Sequence, residues 1–193
     1  MRRIIIFSAA FAMGISAARA DFHFLSAEPA PFFKGTDNQM GIYFGQGTGG
    51  GSIQPDFWDI TPFGWTMFQY SQPATFFRLP ARQNIHVGTT MGWGDKDDEC
   101  WKNYSWPQAG LSMDAAVMTW NDFYLGGGIG AFMKYERDER QDSRYMFGLK
   151  MFVGYGISES WAAEIFTQHF SNGNLSPNNG SYNFFGLALL RNF

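Results

Sequence analysis

The segment from Tyr145 to Ile157 decides most of what this chain can become. Tyr145, Phe147, Leu149, Met151, Val153, Tyr155 and Ile157 share one parity, while Met146, Gly148, Lys150, Phe152, Gly154 and Gly156 share the other. Successive side chains of a strand point to opposite faces, so a strand here has one large apolar face and one face of mostly small or polar groups. The same contrast separates Phe123, Leu125, Ile129 and Met133 from Gly126, Gly128, Gly130 and Lys134. It also separates Ile85, Val87, Met91 and Trp93 from His86, Gly88, Thr90 and Gly92. A sandwich would alternate too, but with a bulky inner face and a charged outer one. Here the polar face carries glycine, serine and isolated charges such as Asp114, Lys150 and Glu164, which suits the crowded interior of a small closed barrel whose apolar face meets lipid.

Composition closes off the alternatives. With 45% hydrophobic and 16% charged residues, and with 21 Phe, 8 Tyr, 7 Trp and 23 Gly in 193 residues, disorder is excluded. Beyond residue 20 no stretch approaches the roughly 18 to 20 uninterrupted apolar residues of a membrane-spanning helix. On this reading the aromatics are mostly lipid-facing, and glycines and polar groups fill a narrow lumen.

Residues 1–20 read as a secretory signal: Arg2 and Arg3 start it, Ile4 to Ala12 form its apolar run, and Ala18-Arg19-Ala20 supplies an A-x-A cleavage site. Its removal takes three arginines and no acids from a net charge of −3, leaving −6, which argues against nucleic acid as a partner. The lone Cys100 forms no internal disulfide, and three histidines give no metal-spaced cluster, so neither metal nor cofactor is expected.

Residues 21–38 form an irregular periplasmic lead-in, and 39–193 the barrel. Eight strands are predicted: Gln39 to Gln46, Phe63 to Ser71, Gln83 to Trp93, Gln108 to Thr119, Phe123 to Lys134, Arg144 to Gly156, Trp161 to Ser171 and Tyr182 to Phe193. With the N-terminus periplasmic, the loops containing Gly47 to Pro62, Gly94 to Pro107, Tyr135 to Ser143 and Asn172 to Ser181 are external, long and polar. The opposite turns are short, apart from a longer connection near Gln72 to Arg82. This asymmetry is the outer-membrane pattern.

Candidate chemistry gathers at the external end of the seventh strand. His169 and Ser171, two apart, emerge on one face together with Ile165 and Thr167, while Glu164, Phe166 and Gln168 take the lumen face. On the next strand Asn183 shares the outward parity of Phe185, Leu187 and Leu189. Polar groups facing hydrocarbon cost energy and ask for a reason. One reason is nucleophilic catalysis, with Ser171 activated by His169 and the oxyanion held by Asn172 and a backbone N–H of the following turn. The other is simply the strand's exit into the headgroup region, and the residues alone leave both open.

The stretch His169-Phe170-Ser171-Asn172-Gly173-Asn174-Leu175-Ser176-Pro177-Asn178-Asn179-Gly180 resembles the C-terminal motif of the PagL-type lipid A 3-O-deacylases, outer-membrane esterases. The final Phe193 likewise resembles the terminal signature of outer-membrane barrels. The resemblance implies Ser171 as nucleophile, His169 as base, and an oxyanion hole from the Asn172 side chain and the Asn174 main-chain N–H. The family's acidic triad member falls on Asn183, which can orient an imidazole but not stabilise its charge as a carboxylate would. Glu164 has the wrong parity to replace it. The implied activity is hydrolysis of the acyl ester at the 3-position of lipid A, with lipopolysaccharide as substrate, outer-membrane lipids as surroundings, and a homodimer compatible with all of this. A non-enzymatic barrel acting in adhesion or envelope integrity, and a phospholipase or acyltransferase, are the competing classes.

Other residues carry less. His86 is read as a core residue and His23 as unassigned. The acidic run Asp95 to Glu99 is read as a solvated loop, with divalent-cation binding the alternative. Trp93, Trp101, Trp106, Trp120 and Trp161 are read as interface or loop aromatics, with Trp101 or Trp106 as candidates for a substrate groove.

Overall fold

Alternating side chains leave each strand's backbone to be satisfied only by its neighbours, and in lipid that demands closure. The computed structural model describes residues 22–26, 38–50, 55–93, 105–138 and 140–193. Its strands are β1 (Phe22–Phe24), β2 (Gln39–Gly50), β3 (Pro55–Phe76), β4 (Leu79–Gly92), β5 (Pro107–Trp120), β6 (Phe123–Lys134), β7 (Tyr145–Gly156), β8 (Trp161–Ser171) and β9 (Tyr182–Asn192). β2 to β9 pair with their sequence neighbours, antiparallel throughout, and β2 pairs with β9 to close an eight-stranded barrel. The expected barrel is what forms. The signal segment, most of the lead-in, the Asp95 to Glu99 run and Trp101 lie outside the described residues.

Three expectations need correction. The connection near Gln72 to Arg82 is not a loop: β3 and β4 stay paired from Gln72↔Gln83 to Phe76↔Leu79. They turn on Phe77 and Arg78 alone, both at positive φ (48° and 71°), the two-residue geometry that matches strand twist. Neither is a usual turn residue, so nothing in these two residues marks the turn. The lead-in is not wholly irregular either, since Phe22–Phe24 pairs with Met118 to Trp120. It occupies an edge of β5 beyond the last β4 partner, Ala115, and so blunts an exposed edge. Finally, part of the expected loop Gly47 to Pro62 is strand, with Thr48↔Ile60 and Gly50↔Pro55 paired across register shifts.

The lumen corrects the composition argument. Its outward counterpart is apolar as expected, with Phe68, Leu111, Ile129, Leu187 and their row-mates exposed. However, the interior holds Tyr43, Phe63, Trp65, Trp106, Tyr124, Phe132, Phe152, Phe166, Phe170, Tyr182 and Phe184, all buried. Trp106 is thus a lumen residue, 2% exposed, not an interface one. The glycines are the reason these rings fit. A Cβ on Gly154 would lie 1.8 Å from Tyr124 Cζ, and one on Gly148 would lie 2.5 Å from Phe132 Cε2. Inward glycines are therefore the sockets for inward aromatics on adjacent strands, and parity counting sees the socket without its ring.

Toward the short-turn end the lumen is ionic. Arg82 pairs with Asp114 at 2.9 Å and Glu164 at 2.8 Å, and Lys150 reaches Asp114 at 2.7 Å. Tyr43 and Tyr124 donate to Glu164. These charges are buried but mutually paired, as burial requires. His86, in the lumen as expected, meets Ser112 Oγ at 2.8 Å through Nε2.

Candidate active site

Strand pairing places the outward polar residues on one rung. Leu149 on β7, His169 on β8, Asn183 on β9 and Thr48 on β2 are successive register partners. The polar stretch is flanked by exposed Leu149 on one side and, on β3, by exposed Ile60 on the other. Within it the polar members are shielded: His169 is 9% exposed, Asn183 6% and Thr48 8%. His169 Nδ1 lies 2.8 Å from Asn183 Oδ1. The amide oxygen can only accept, so the contact fits the tautomer with its proton on Nδ1, which leaves Nε2 with a lone pair. The structure thus brings together two residues fourteen apart in sequence that parity alone put on one face.

Ser171 follows two residues along β8 on the same side, about 6.8 Å further by strand rise, opposite Phe147 of β7. It is half-buried, and no hydrogen bond joins it to His169 among the described residues. In substrate-free sites such bonds are often long and tighten only on binding. Glu164 is 1% exposed, inside the lumen and paired with Arg82, so it is not a third member.

The loop after Ser171 is built from asparagines. Asn172 is fully buried; its Nδ2 donates to Ser176 Oγ (2.6 Å) and Asn178 O (2.8 Å), and its Oδ1 accepts from Asn174 N–H at 2.9 Å. The two expected oxyanion donors are therefore bonded within the loop, one of them to the other's side chain. Gly173 and Asn174 sit at positive φ, 60° and 62°, as the central pair of a turn closed by Leu175 N–H on Asn172 O. A Cβ on Gly173 would meet the Phe147 ring at 2.7 Å, so that position needs glycine for space as well as for conformation. Asn179 completes the knot, accepting from Asn172 N–H and donating to Asn174 Oδ1.

The charged β6–β7 connection braces this loop. Gln141, fully buried, donates to Gly180 O at 2.6 Å, and Arg140 donates to Ser181 O at 2.9 Å. Asp138 caps the Arg140 and Gln141 N–H groups and pairs with Lys134. Lys134 in turn stands 5.0 Å from the Trp106 ring centre, so the lumen aromatics support the loop from below. Beside it opens a cleft of about 810 Å³ lined by Arg137, Asp142, Arg144, Tyr145, Ser176 and Pro177. Neither Arg137 nor Arg144 has an ion-pair partner among the described residues. A second, apolar groove of about 850 Å³ runs along the outer wall from Phe147 past Ile129, Leu111, Met113 and Ile85 to Tyr70. Sequence reading missed Thr48, the bracing Gln141 and both arginines. Thr48 fell in the expected loop Gly47 to Pro62 and is placed only by its pairing with Asn183, and the bracing depends on loop geometry.

Closed eight-stranded walls with an apolar outer face describe an outer-membrane barrel. The family model described as lipid A 3-O-deacylase (PagL) matches residues 83–192, more than half of the chain, and the chain belongs to that family. Among solved structures, that of the outer membrane enzyme PagL is similar, at 10% identity over 79% of this chain and 97% of that one, with a TM-score of 0.49. No curated protein matches.

Proposed function

We propose that this protein is a serine esterase that removes the acyl chain from the 3-position of lipid A, working in the outer membrane with Ser171 as nucleophile and His169 as base. The observation that carries this reading is the His169 Nδ1 to Asn183 Oδ1 contact, which frees Nε2 on the face that Ser171 shares. Family membership supports the substrate, and the outward position of the rung supports access from the lipid side.

Ser171 Oγ attacks the ester carbonyl carbon while its proton passes to His169 Nε2. The tetrahedral intermediate collapses by breaking the bond to the sugar oxygen, which takes the proton from His169 and leaves as a hydroxyl. Water then attacks the acyl-enzyme, giving its proton to His169, and the fatty acid leaves with Ser171 restored. Asn183 holds the ring but adds no charge, so the imidazolium is less stabilised than beside a carboxylate. Asn172 and the Asn174 N–H serve the oxyanion once the bound ester takes the place of their present partners. The apolar groove leading away from Phe147 offers the departing chain a continuous hydrocarbon contact. The arginine-lined cleft lies on the headgroup side, where lipid A carries phosphate.

Mass spectrometry of lipid A from cells expressing wild type or Ser171→Ala tests the assignment. Lipid A from cells expressing wild type is expected to lose one ester-linked acyl chain per molecule, and lipid A from cells expressing the variant none. An unchanged pattern with wild type, or chain loss with the variant, overturns it. Mature protein starting at Asp21 and residing in the outer membrane belongs to the same proposal, and N-terminal sequencing of the membrane-extracted protein checks it.

A further inference from the structure

The rung that carries His169 and Asn183 continues past Thr48 to Ile60 on β3. Followed the other way, from His169 through Leu149, Ile129 and Met113, it passes Gln83 and returns to β3 at Gln72, twelve residues from Ile60. One rung thus winds once around the barrel as a spiral, the stagger that closure of tilted strands imposes. Because β3 starts beside the external loop and ends at the Phe77-Arg78 turn, Ile60 is the outer end of the spiral and Gln72 the inner one. A lipid cleaved beside His169, with its chain along the apolar groove, has its headgroup on the climbing side, toward Thr48 and Ile60.

At that outer end stands Trp58, 94% exposed, more than any other large apolar side chain among the described residues. Its position is built. Thr48 pairs with Ile60 but Gly49 with Asp56, so residues 57–59 are pushed out of the ladder as a bulge, a device that re-aims side chains. The Trp58 N–H donates to Asp56 Oδ1 at 3.0 Å. Asp59 lies over Gly49, where a Cβ would collide with its carboxylate, so the glycine leaves the room that Asp59 takes. The result is a bare indole flanked by two exposed carboxylates.

The barrel uses its other outward tryptophans differently. Trp120 packs on Phe123 and Trp161 lies under Arg191, and they are only 49% and 40% exposed. Sinking Trp58 among lipids in that manner would strip water from the carboxylates beside it, which is costly. A sugar asks for the combination present here: its C–H face packs on a flat apolar ring, and its hydroxyls donate to carboxylates. Ile60 is three strands from His169, about 14 Å at the usual strand spacing, a distance matched to a headgroup of two joined sugar rings. Resting on the esterase reading above for the identity of the lipid, we propose that Trp58, with Asp56 and Asp59, is the binding platform for a sugar ring of the substrate's headgroup.

The test uses the mature protein in detergent micelles, labelled with 5-fluorotryptophan, with the Trp58 fluorine signal assigned by its loss in Trp58→Phe. Titration with the soluble, fully deacylated sugar headgroup of lipid A is expected to shift that signal and to shield it from a water-soluble paramagnetic reagent. Replacing Asp56 and Asp59 by asparagine should weaken the titration several-fold. With micellar lipid A as substrate, Trp58→Ala is expected to raise KM roughly five- to tenfold, the worth of one aromatic contact, and to leave kcat unchanged. Trp58→Phe should raise KM about twofold. On an ester of the same acyl chain with a simple alcohol, which offers no sugar, wild type and Trp58→Ala should match. A signal that the headgroup does not move, a titration indifferent to the two carboxylates, an unchanged KM, a loss confined to kcat, or an equal loss on the sugar-free ester would each overturn the proposal. So would broadening of the Trp58 signal by lipid carrying a paramagnetic label in its chain, the mark of a membrane anchor. Should wild type show no deacylation at all, the esterase reading fails, and the fluorine titration still decides the role of Trp58.

Discussion

Two sets of polar residues sit in surroundings that should be greasy, one inside the barrel and one on its wall, and they are held differently: the first by ion pairs, the second by a single neutral contact. Inside, Arg82, Asp114, Lys150 and Glu164 are cross-linked to one another and to two tyrosines. On the wall, His169 has one partner, Ser171 has none from His169, and Thr48 Oγ1 is unmatched. An ion-paired network stabilises a fold, while on the proposed reading the wall row serves a substrate that arrives later. On the proposed reading the lumen is the barrel's skeleton and the wall row its working part.

Substitutions can break this division, and the largest effect is expected at the serine. Ser171→Ala should lower lipid A deacylation by about 10⁴-fold or more, equivalent to about 5 kcal/mol of barrier. The unfolding midpoint, followed by the heat-induced gel-mobility shift of the barrel, should move little. Arg82→Ala should do the reverse, since it leaves two buried carboxylates, Asp114 and Glu164, to share Lys150 alone, at a cost of about 3–5 kcal/mol of stability, while activity per folded molecule persists. Denaturant titration in detergent measures it. Gly154→Leu forces a side chain into the space of the Tyr124 ring and should cost about 1–3 kcal/mol by the same titration, again without altering kcat. Asn183→Ala should lower kcat roughly 10- to 100-fold, about 1.4–2.7 kcal/mol, and leave stability nearly intact. The smallest change is expected from replacing Arg137 and Arg144 by alanine together: a KM for lipid A raised several-fold, near 1 kcal/mol, with no change for a substrate lacking phosphate. An Arg82→Ala protein as stable as wild type, or an Asn183→Ala protein as active, would erase the distinction between the two sets.

Most of the barrel was legible because alternation is a local property. The parity of Tyr145 to Ile157 needs no partner to be read, and the same counting set His169, Ser171 and Asn183 on one face. What escaped depends on neighbours. Gly148 and Gly154 read as small lumen residues, yet their meaning lies in Phe132 and Tyr124 on the adjacent strand. The Phe77-Arg78 turn adopts positive φ without glycine, asparagine or aspartate, so its residues give no signal. Thr48 looked like an ordinary loop threonine until the β2–β9 register put it against Asn183. The loop bonds of Asn172 were invisible for the same reason, since the motif names the donors but not what occupies them.

The placement of the His169–Asn183 rung on the outer wall also changes how such a site would be saturated. A lumen site samples solutes per unit volume; a wall site meets only what diffuses within the bilayer, so its effective substrate level is a mole fraction in the leaflet. Diluting lipid A with inert lipid at constant bulk concentration should then slow turnover, whereas diluting the whole suspension should not. A site so placed would make the membrane itself the reaction vessel.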